Sequence, residues 1–522
     1  MSSTRIHPSR TVPAPGGGTR RPWRGGPWWP GAALVALVLS LTACGDEGIV
    51  GMGEDQTLMT VVLEQPGDGV TEWRGDAGDF EDHPYQPEGL RIDAGYPVFE
   101  GADAFAEELA AQVDQEVRDY RGASREPVNL SIDWQVVAAG NGVLGVRLVR
   151  TEEDFQGLRQ AYGTYWYDVS TGHTAYSTEL LADDAALEEL DGIVREEFAD
   201  DEQVDVRGLH PVMRTYDSMG FNTDGDLVVE FDDGHLSPTV EGHPPSSEPG
   251  RKVAVVPAEE AAPLLSDLGE RAREAALAEE PVLAVEEPAT EPETTPEPAP
   301  EVPGVVEAGD PELDCSEDRC VALTFDDGPN ETTPALLDLL AEEEVSATFF
   351  LNGHPTLTRP GVLRRAYAEG HEIGSHNHLH EHMPKKFDEK ELVHQVAAVS
   401  AMVRRQTGHT VELFRPPFGD SSPEVLAEIG RQGMAEILWS QDSEDWTGLS
   451  RDEIVESVVE QAEPGAVVLL HDTMAPTLEA VPEIIERLRE DGYAFATVSQ
   501  VYDGPEPGES YPPEGLTSPV GS

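Results

Sequence analysis

The stretch VALTFDDGPN (321–330) runs an apolar segment into two aspartates and a Gly-Pro turn. Its length and its turn punctuation predict a buried strand that carries Asp326 and Asp327 at its carboxyl end. Adjacent side chains on a strand point to opposite faces, so both carboxylates reach one site only if a turn reorients the second. A near copy, LVVEFDDGHL (227–236), lacks the proline and has only His235 and His243 close by in sequence. That copy is expected to be an ordinary strand and turn, with Asp232 and Asp233 outside the chemistry.

Outward from 321–330 the pattern repeats. Strand-like VALTF, ATFFLN, HEIGSH, AEILWS, AVVLLH and YAFATV alternate with helix-like TPALLDLLAEEE, EKELVHQVAAVSAMVRRQ, PEVLAEIGRQ, RDEIVESVVEQA and EAVPEIIERLRE across 313–502. Ser450 with Glu453 spells a capping box, and Ser422 before Pro423 places a cap ahead of a first-turn proline. Repeated strand–helix units predict a parallel sheet or barrel, with function at the carboxyl ends of its strands. Upstream, 57–275 mixes strand patterns such as TLMTVVLE and VLGVRLVR with helical spacing over 102–120, an α+β domain. Residues 281–309 are rich in Pro and Glu, which predicts an extended, semi-rigid linker that sets this domain apart from 313–502. The stretch 503–522 has a similar composition and is expected to be a disordered tail.

The 522 residues are too many for one ordinary domain, and 39% hydrophobic content is enough for two cores. The 34 basic residues stand against 101 acidic ones, a net charge of −67. A surface so acidic repels phosphate backbones, which excludes nucleic acid as a partner. At the N-terminus, arginines precede the apolar run GAALVALVLSLTAC (31–44), too short for a comfortable membrane span, so 1–43 read as a signal peptide. Its end, Leu41-Thr42-Ala43-Cys44, resembles the lipobox of bacterial lipoproteins. The resemblance implies lipidation of Cys44 and a chain anchored on the extracellular face of the cell membrane. In that oxidising compartment Cys315 and Cys320 are expected to form a small disulfide loop. A zinc pair is the alternative, for which no second cysteine pair exists.

Candidate chemistry gathers at the predicted strand ends. Forty-nine residues after Asp327, GHEIGSHNHLH brings His376 and His380, a spacing of four that would set two imidazoles on one side of a helical turn. One Asp and two His make an open metal site with room for water. FRPPFG (414–419), DSEDW (442–446) and VVLLHD (467–472) follow in order.

Taken together, these five motifs resemble the polysaccharide deacetylases of the NodB homology type, carbohydrate esterase family four, over about 190 residues (313–502). The resemblance implies an α/β fold, a distorted (β/α) barrel catalytic domain preceded by a smaller α+β domain, and a divalent metal, zinc above all. It also implies roles by motif position. Asp326 would be the general base and Asp327, His376 and His380 the metal ligands. Arg415 would orient the base, Asp445 would tune the acid His471, and Phe418, Trp446 and Leu469 would bound the substrate pocket, Phe418 through its backbone N–H. Hydrolysis of an acetamide needs an activated water, a stabilised oxyanion and a proton for the amine, and these residue types supply each. Two positions depart from the family pattern. Asn377 stands where Ser or Thr is usual, and Phe418 where Tyr is common, so altered surroundings of the metal site are expected, not a dead site.

The expected function is therefore metal-dependent N-deacetylation of a cell-surface glycan, peptidoglycan foremost. The alternatives are O-acetyl ester hydrolysis on xylan or another glycan, and a sensor or glycan-binding lipoprotein. The last draws on the upstream domain, whose YPVFEGADAFAEELAAQV (96–113) and TYWYDVSTGHTAYSTELL (164–181) resemble extracellular domains of lysozyme-sensing anti-sigma factors. The sequence leaves the oligomeric state open.

Overall fold

The computed structural model describes residues 58–80, 85–124, 126–248, 250–285 and 301–513. The signal segment, Cys44, the middle of the Pro/Glu-rich stretch (286–300) and residues 514–522 lie outside them. No helix among the described residues is long and apolar enough to cross a membrane.

The N-terminal half, 58–285, is α+β and is no smaller than the half that follows. Its main sheet has six strands in sequence order, Val70–Asp76, Arg91–Phe99, Asn129–Gly140, Val143–Asp154, Gly157–Asp168 and His173–Tyr176. All neighbours are antiparallel except the second and third, which the helix Asp103–Ala123 joins as a crossover. Phe105, Leu109, Val113, Val117 and Tyr120 recur at helical spacing and are buried, which fastens one face of that helix to the domain's core. A second, three-stranded antiparallel sheet contains Leu227–Phe231, the strand that Asp232 follows.

The C-terminal half is an open, distorted (β/α) barrel. Its strands run Gln441–Asp442, Ala466–His471, Cys320–Asp326, Thr348–Leu351, Glu372–Ser375, Leu413–Phe414, Ala435–Ile437 and Ser510–Tyr511, every neighbouring pair parallel. Among the described residues no ladder joins the first strand to the last. Val321, Leu323 and Phe325 pack outward under the helices while Ala322 faces the other side, so the predicted run is buried on both faces. Cys315 and Cys320 are joined at the start of this strand.

Three expectations are corrected. First, the tail is not disordered over 503–513. Ser510 and Tyr511 pair with Glu436 and Ile437, the Leu438 N–H donates to Tyr511 O at 2.7 Å, and the rings of Tyr502 and Tyr511 lie 5.0 Å apart. A composition poor in apolar residues argues against a new core, but an edge strand needs only free backbone groups to pair with.

Second, the ends of the Pro/Glu-rich stretch are fastened down. Val282 and Val285 donate their N–H groups to Ala139 O and Glu100 O, Val306 N–H to Tyr367 Oη, and Gly309 N–H to Gly370 O.

Third, the two halves are not held apart; they pack in one compact unit. The helix Glu389–Thr407 lies against Asp103–Ala123 so closely that a Cβ on Gly122 would sit 2.8 Å from Ala401 Cβ. Arg404 donates to both oxygens of Asp119, and Arg405 to both oxygens of Glu152, at 2.7–3.1 Å. The two carboxylates are buried, and such charges persist in an interior only when paired. A linker's composition reports its own inability to form a core, not whether the domains it joins dock.

Candidate active site

Asp326 is the last residue of its strand and is 2% exposed. Arg415, fully buried, donates from Nη1 to Asp326 Oδ1 at 2.7 Å and to Thr324 Oγ1 at 2.7 Å, while Nε and Nη2 reach Ile437 O and Leu438 O. Its guanidinium lies 4.0 Å from the centre of the Phe350 ring. The arginine is thus fixed on all sides and fixes the carboxylate in turn. Burial pushes the Asp326 carboxyl above its ordinary range, and the Arg415 charge works against that shift.

The chain turns at Asp327 itself, whose φ is 75°, so the second carboxylate leaves the strand's alternation one residue before the Gly-Pro turn. Gly328 must lack a side chain, because a Cβ there would lie 2.2 Å from Asp472 Oδ2. Asp327 Oδ1 accepts from Asn352 Nδ2 at 3.0 Å and lies 3.2 Å from His380 Nε2 and 3.7 Å from His376 Nε2.

His376 follows the strand Glu372–Ser375 directly and is buried. Its Nδ1 donates to Arg415 O at 2.7 Å, which fixes the tautomer and leaves the Nε2 lone pair facing the carboxylates. Burial drives this ring down to about 3, so it stays neutral, the form a ligand needs. The segment to His380 is not the helical turn that a spacing of four suggests. Asn377 and His380 have φ of 61° and 52°, and the buried Asn377 Oδ1 accepts from the N–H groups of Leu379 and His380 at 2.9 and 2.6 Å. A loop folded around an Asx turn brings the second ring to the first, which explains how Asn serves at this position. One ligand atom from each of Asp327, His376 and His380 lies within 4.8 Å of the others. An oxygen and two imidazole nitrogens fit a divalent ion of the zinc type.

His471 ends the strand Ala466–His471 and is the register partner of Asp326 across the ladder. Its Nδ1 contacts Asp445 Oδ1 at 2.7 Å, and its backbone N–H donates to Asp445 Oδ2 at 2.9 Å. Burial alone would lower the ring, but the Asp445 hydrogen bond and charge raise it to about 9. Burial opposes ionisation of Asp445 too, yet His471 and Thr477 hold its carboxyl below the usual range. Leu469 is buried on the same strand as His471, whereas Trp446 is 47% exposed. Phe418, at φ 63° and 40% exposed, does more than offer its backbone, since its ring stacks on His382 at 4.2 Å. His382 also contacts Asp420, and His371 accepts from Ala347 N–H, so neither joins the ligand set.

Asp472 was not singled out from the sequence. It is buried and accepts from Asn330 Nδ2 at 2.8 Å and from Thr333 Oγ1, so it braces the turn that carries Asp327. Burial raises its carboxyl to about 7. The only signal for it was adjacency to His471 in VVLLHD, and adjacency does not say what a side chain touches. Asp232 and Asp233 belong to a turn, as read, and accept from Tyr162 N–H and Gln160 N–H at 2.7 and 2.8 Å.

The family described as polysaccharide deacetylase matches residues 314–437, a span that includes Asp326, Asp327, His376, His380 and Arg415. The chain is similar to a peptidoglycan-N-acetylglucosamine deacetylase of Listeria monocytogenes, 36% identical over 183 residues, 35% of this chain and 38% of that protein. It is 35% identical over 184 residues to a peptidoglycan-N-acetylmuramic acid deacetylase of Bacillus subtilis, again 35% of this chain and 38% of that protein. The match therefore spans well under half the length of both. A peptidoglycan-N-acetylglucosamine deacetylase of Bacillus cereus is 35% identical over 187 residues, 35% of this chain and 68% of its own length. Over the barrel half, which holds every side chain of the candidate site, the chain belongs to the polysaccharide deacetylase family.

Proposed function

We propose that the protein is a metal-dependent N-deacetylase of a cell-surface glycan, peptidoglycan by preference, which hydrolyses the acetamide of N-acetylated sugars to amine and acetate. The observation that carries this reading is the meeting of Asp327, His376 and His380 beside a buried carboxylate that faces a histidine in register on the next strand. The peptidoglycan deacetylases among its relatives support the substrate class. A divalent ion on the three ligands, zinc by the donor set, would polarise the acetyl carbonyl and acidify a neighbouring water.

The chain's own residues do the rest. Asp326 takes a proton from the attacking water, and Arg415 holds it in position to do so. The Phe418 backbone N–H is the donor for the developing oxyanion. His471, kept protonated by Asp445, gives its proton to the departing amine. Leu469 and Trp446 bound the acetyl methyl group. The full chain is the right reagent, because residues 313–502 alone would leave Arg404 and Arg405 without Asp119 and Glu152. With zinc it should release acetate from peptidoglycan, lose this activity to a chelator and regain it with metal. Mass spectrometry of the muropeptides then locates the lost acetyl group. Cleavage of acetylxylan alone would move the assignment to ester hydrolysis.

The pH profile tests the His471 role. A group that must be protonated works below its pKa and fails as pH rises through it, so the upper limb of turnover should fall near pH 9. In Asp445→Asn the largest raising influence is gone, only the charges of Asp326 and Asp327 remain to raise the ring, and that limb should move to lower pH. An unchanged limb would remove His471 as the proton donor.

For the chain as a whole, the proposal includes lipidation at Cys44 and anchorage at the outer face of the cell membrane. A diacylglycerol-modified Cys44 at the mature N-terminus, read by mass spectrometry, is the expected product.

A further inference from the structure

Between the two halves lies a cleft of ≈ 130 Å³ whose walls bring together Arg150, Arg159 and Arg214 from the N-terminal half with Arg364 and Arg405 from the barrel. By this measure a single water needs only about 10–15 Å³, so the space exceeds a packing defect. Four of the five arginines are matched by carboxylates in the surrounding walls. Arg150 and Arg214 share Glu116, Arg150 also meets Asp232, Arg214 also meets Asp217, Arg159 and Arg405 share Glu152, and Arg159 also meets Asp154; Asp154, Asp232 and Asp233 themselves line the cleft.

Arg364 is different. It is 1% exposed, and its hydrogen bonds go to neutral oxygens only: Gly208 O at 3.0 Å, His235 O at 3.1 Å and the Gln406 amide. The carboxylate that acts on it electrostatically, Asp232, is bound instead by Tyr162 N–H and Arg150. A buried guanidinium with no carboxylate in hydrogen-bond contact is costly. Unlike the nitrogens of Arg364, three buried donors of the other cleft-lining arginines, Arg405 Nη1, Arg150 Nε and Arg214 Nε, have no acceptor. Arginine carries five N–H donors and no acceptor, so these vacant donors call for oxygen atoms, and the charge on Arg364 calls for negative ones.

We infer that this interdomain cleft is a binding site for one small oxyanion of the carboxylate or phosphate class, held by Arg364 with Arg405 and separate from the candidate metal centre. The cleft is also tied to that centre. Thr356 lines it and donates to Asn352 O at 2.7 Å, and Asn352 donates to Asp327. The inference does not depend on the proposed activity.

The test is calorimetric titration of the full chain, freed of metal by chelator so that the catalytic centre offers no rival anion site. Inorganic phosphate and acetate are the probes, with chloride at matched ionic strength as the control. One saturable site for phosphate or acetate is expected, and whichever probe binds more tightly identifies the class. In Arg364→Gln the dissociation constant should rise at least ten-fold, and in Arg364→Lys by less. Heats no larger than those of chloride would mean a water-filled cleft only, and unchanged affinity in Arg364→Gln would place the anion elsewhere; either overturns the inference. Should Arg364→Gln not fold, amide exchange of the wild-type chain decides. Slower exchange over 232–236 and 356–364 with phosphate or acetate but not chloride supports the site, and no change in those segments refutes it.

Discussion

Asp326→Asn should bind its metal fully and turn over glycan at least ~10²–10⁴-fold more slowly, the usual loss when a general base is removed. The amide keeps the shape and an oxygen for Arg415 Nη1 but cannot take a proton from water. None of the three candidate ligands is altered, so metal content should stay at one ion per chain. The substitution has a second consequence. Arg415 is fully buried, and its ion partner is Asp326, so the variant leaves a buried charge uncompensated, at a cost of about 3–5 kcal/mol of stability. Melting temperature must therefore be read beside turnover, and the rate compared where both proteins are folded. A folded variant within a few-fold of the wild-type rate would show that another group takes the proton.

Asp327→Ala should behave in the opposite way, losing metal and activity together. Asp327 is one of three ligand-bearing side chains, and it also orders the others, since its Oδ1 accepts from Asn352 and lies 3.2 Å from His380 Nε2. Without it two imidazoles remain, too few to hold an ion in an open site. The several kcal/mol of charge stabilisation an ion provides, at ~1.4 kcal/mol per decade, correspond to a rate loss of roughly 10³-fold or more. The measurements are metal content by atomic spectroscopy and acetate release, both before and after adding excess zinc. A stoichiometric ion in Asp327→Ala, or wild-type turnover without one, would contradict the ligand assignment. Together the two variants separate the neighbours in Phe-Asp-Asp-Gly: one residue governs the proton, the other the ion.

Much of this was legible in the chain because it is local. A strand followed by two aspartates and a Gly-Pro turn is a short-range pattern, and so is the run of strand–helix units that puts Asp326, His376, Arg415 and His471 at or just past the carboxyl ends of parallel strands. The ordered motifs pointed to residues that the fold brings together at these strand ends, and the spacing of Cys315 and Cys320 suggested their union.

What local patterns could not carry was conformation at single residues and contact across distance. The four-residue spacing of His376 and His380 looked helical, but positive φ at Asn377 and His380 makes a loop, a choice settled by the Asx hydrogen bonds. Asp472 gained meaning only when the strand ending in His471 was laid beside the one ending in Asp326, so that its carboxylate met Gly328 and Thr333. Tyr511 looked like tail until an unpaired sheet edge was there to receive it. The docking of the halves was likewise invisible, because nothing near Arg364, Arg404 and Arg405 in sequence points to Gly208, Asp119 and Glu152, at least 156 residues upstream, which the fold brings against them. Periodicity and motif order fix which residues sit at a strand's end; which partners they meet is set by long-range packing, whose energy lies in burial and pairing between segments that the linear order does not join.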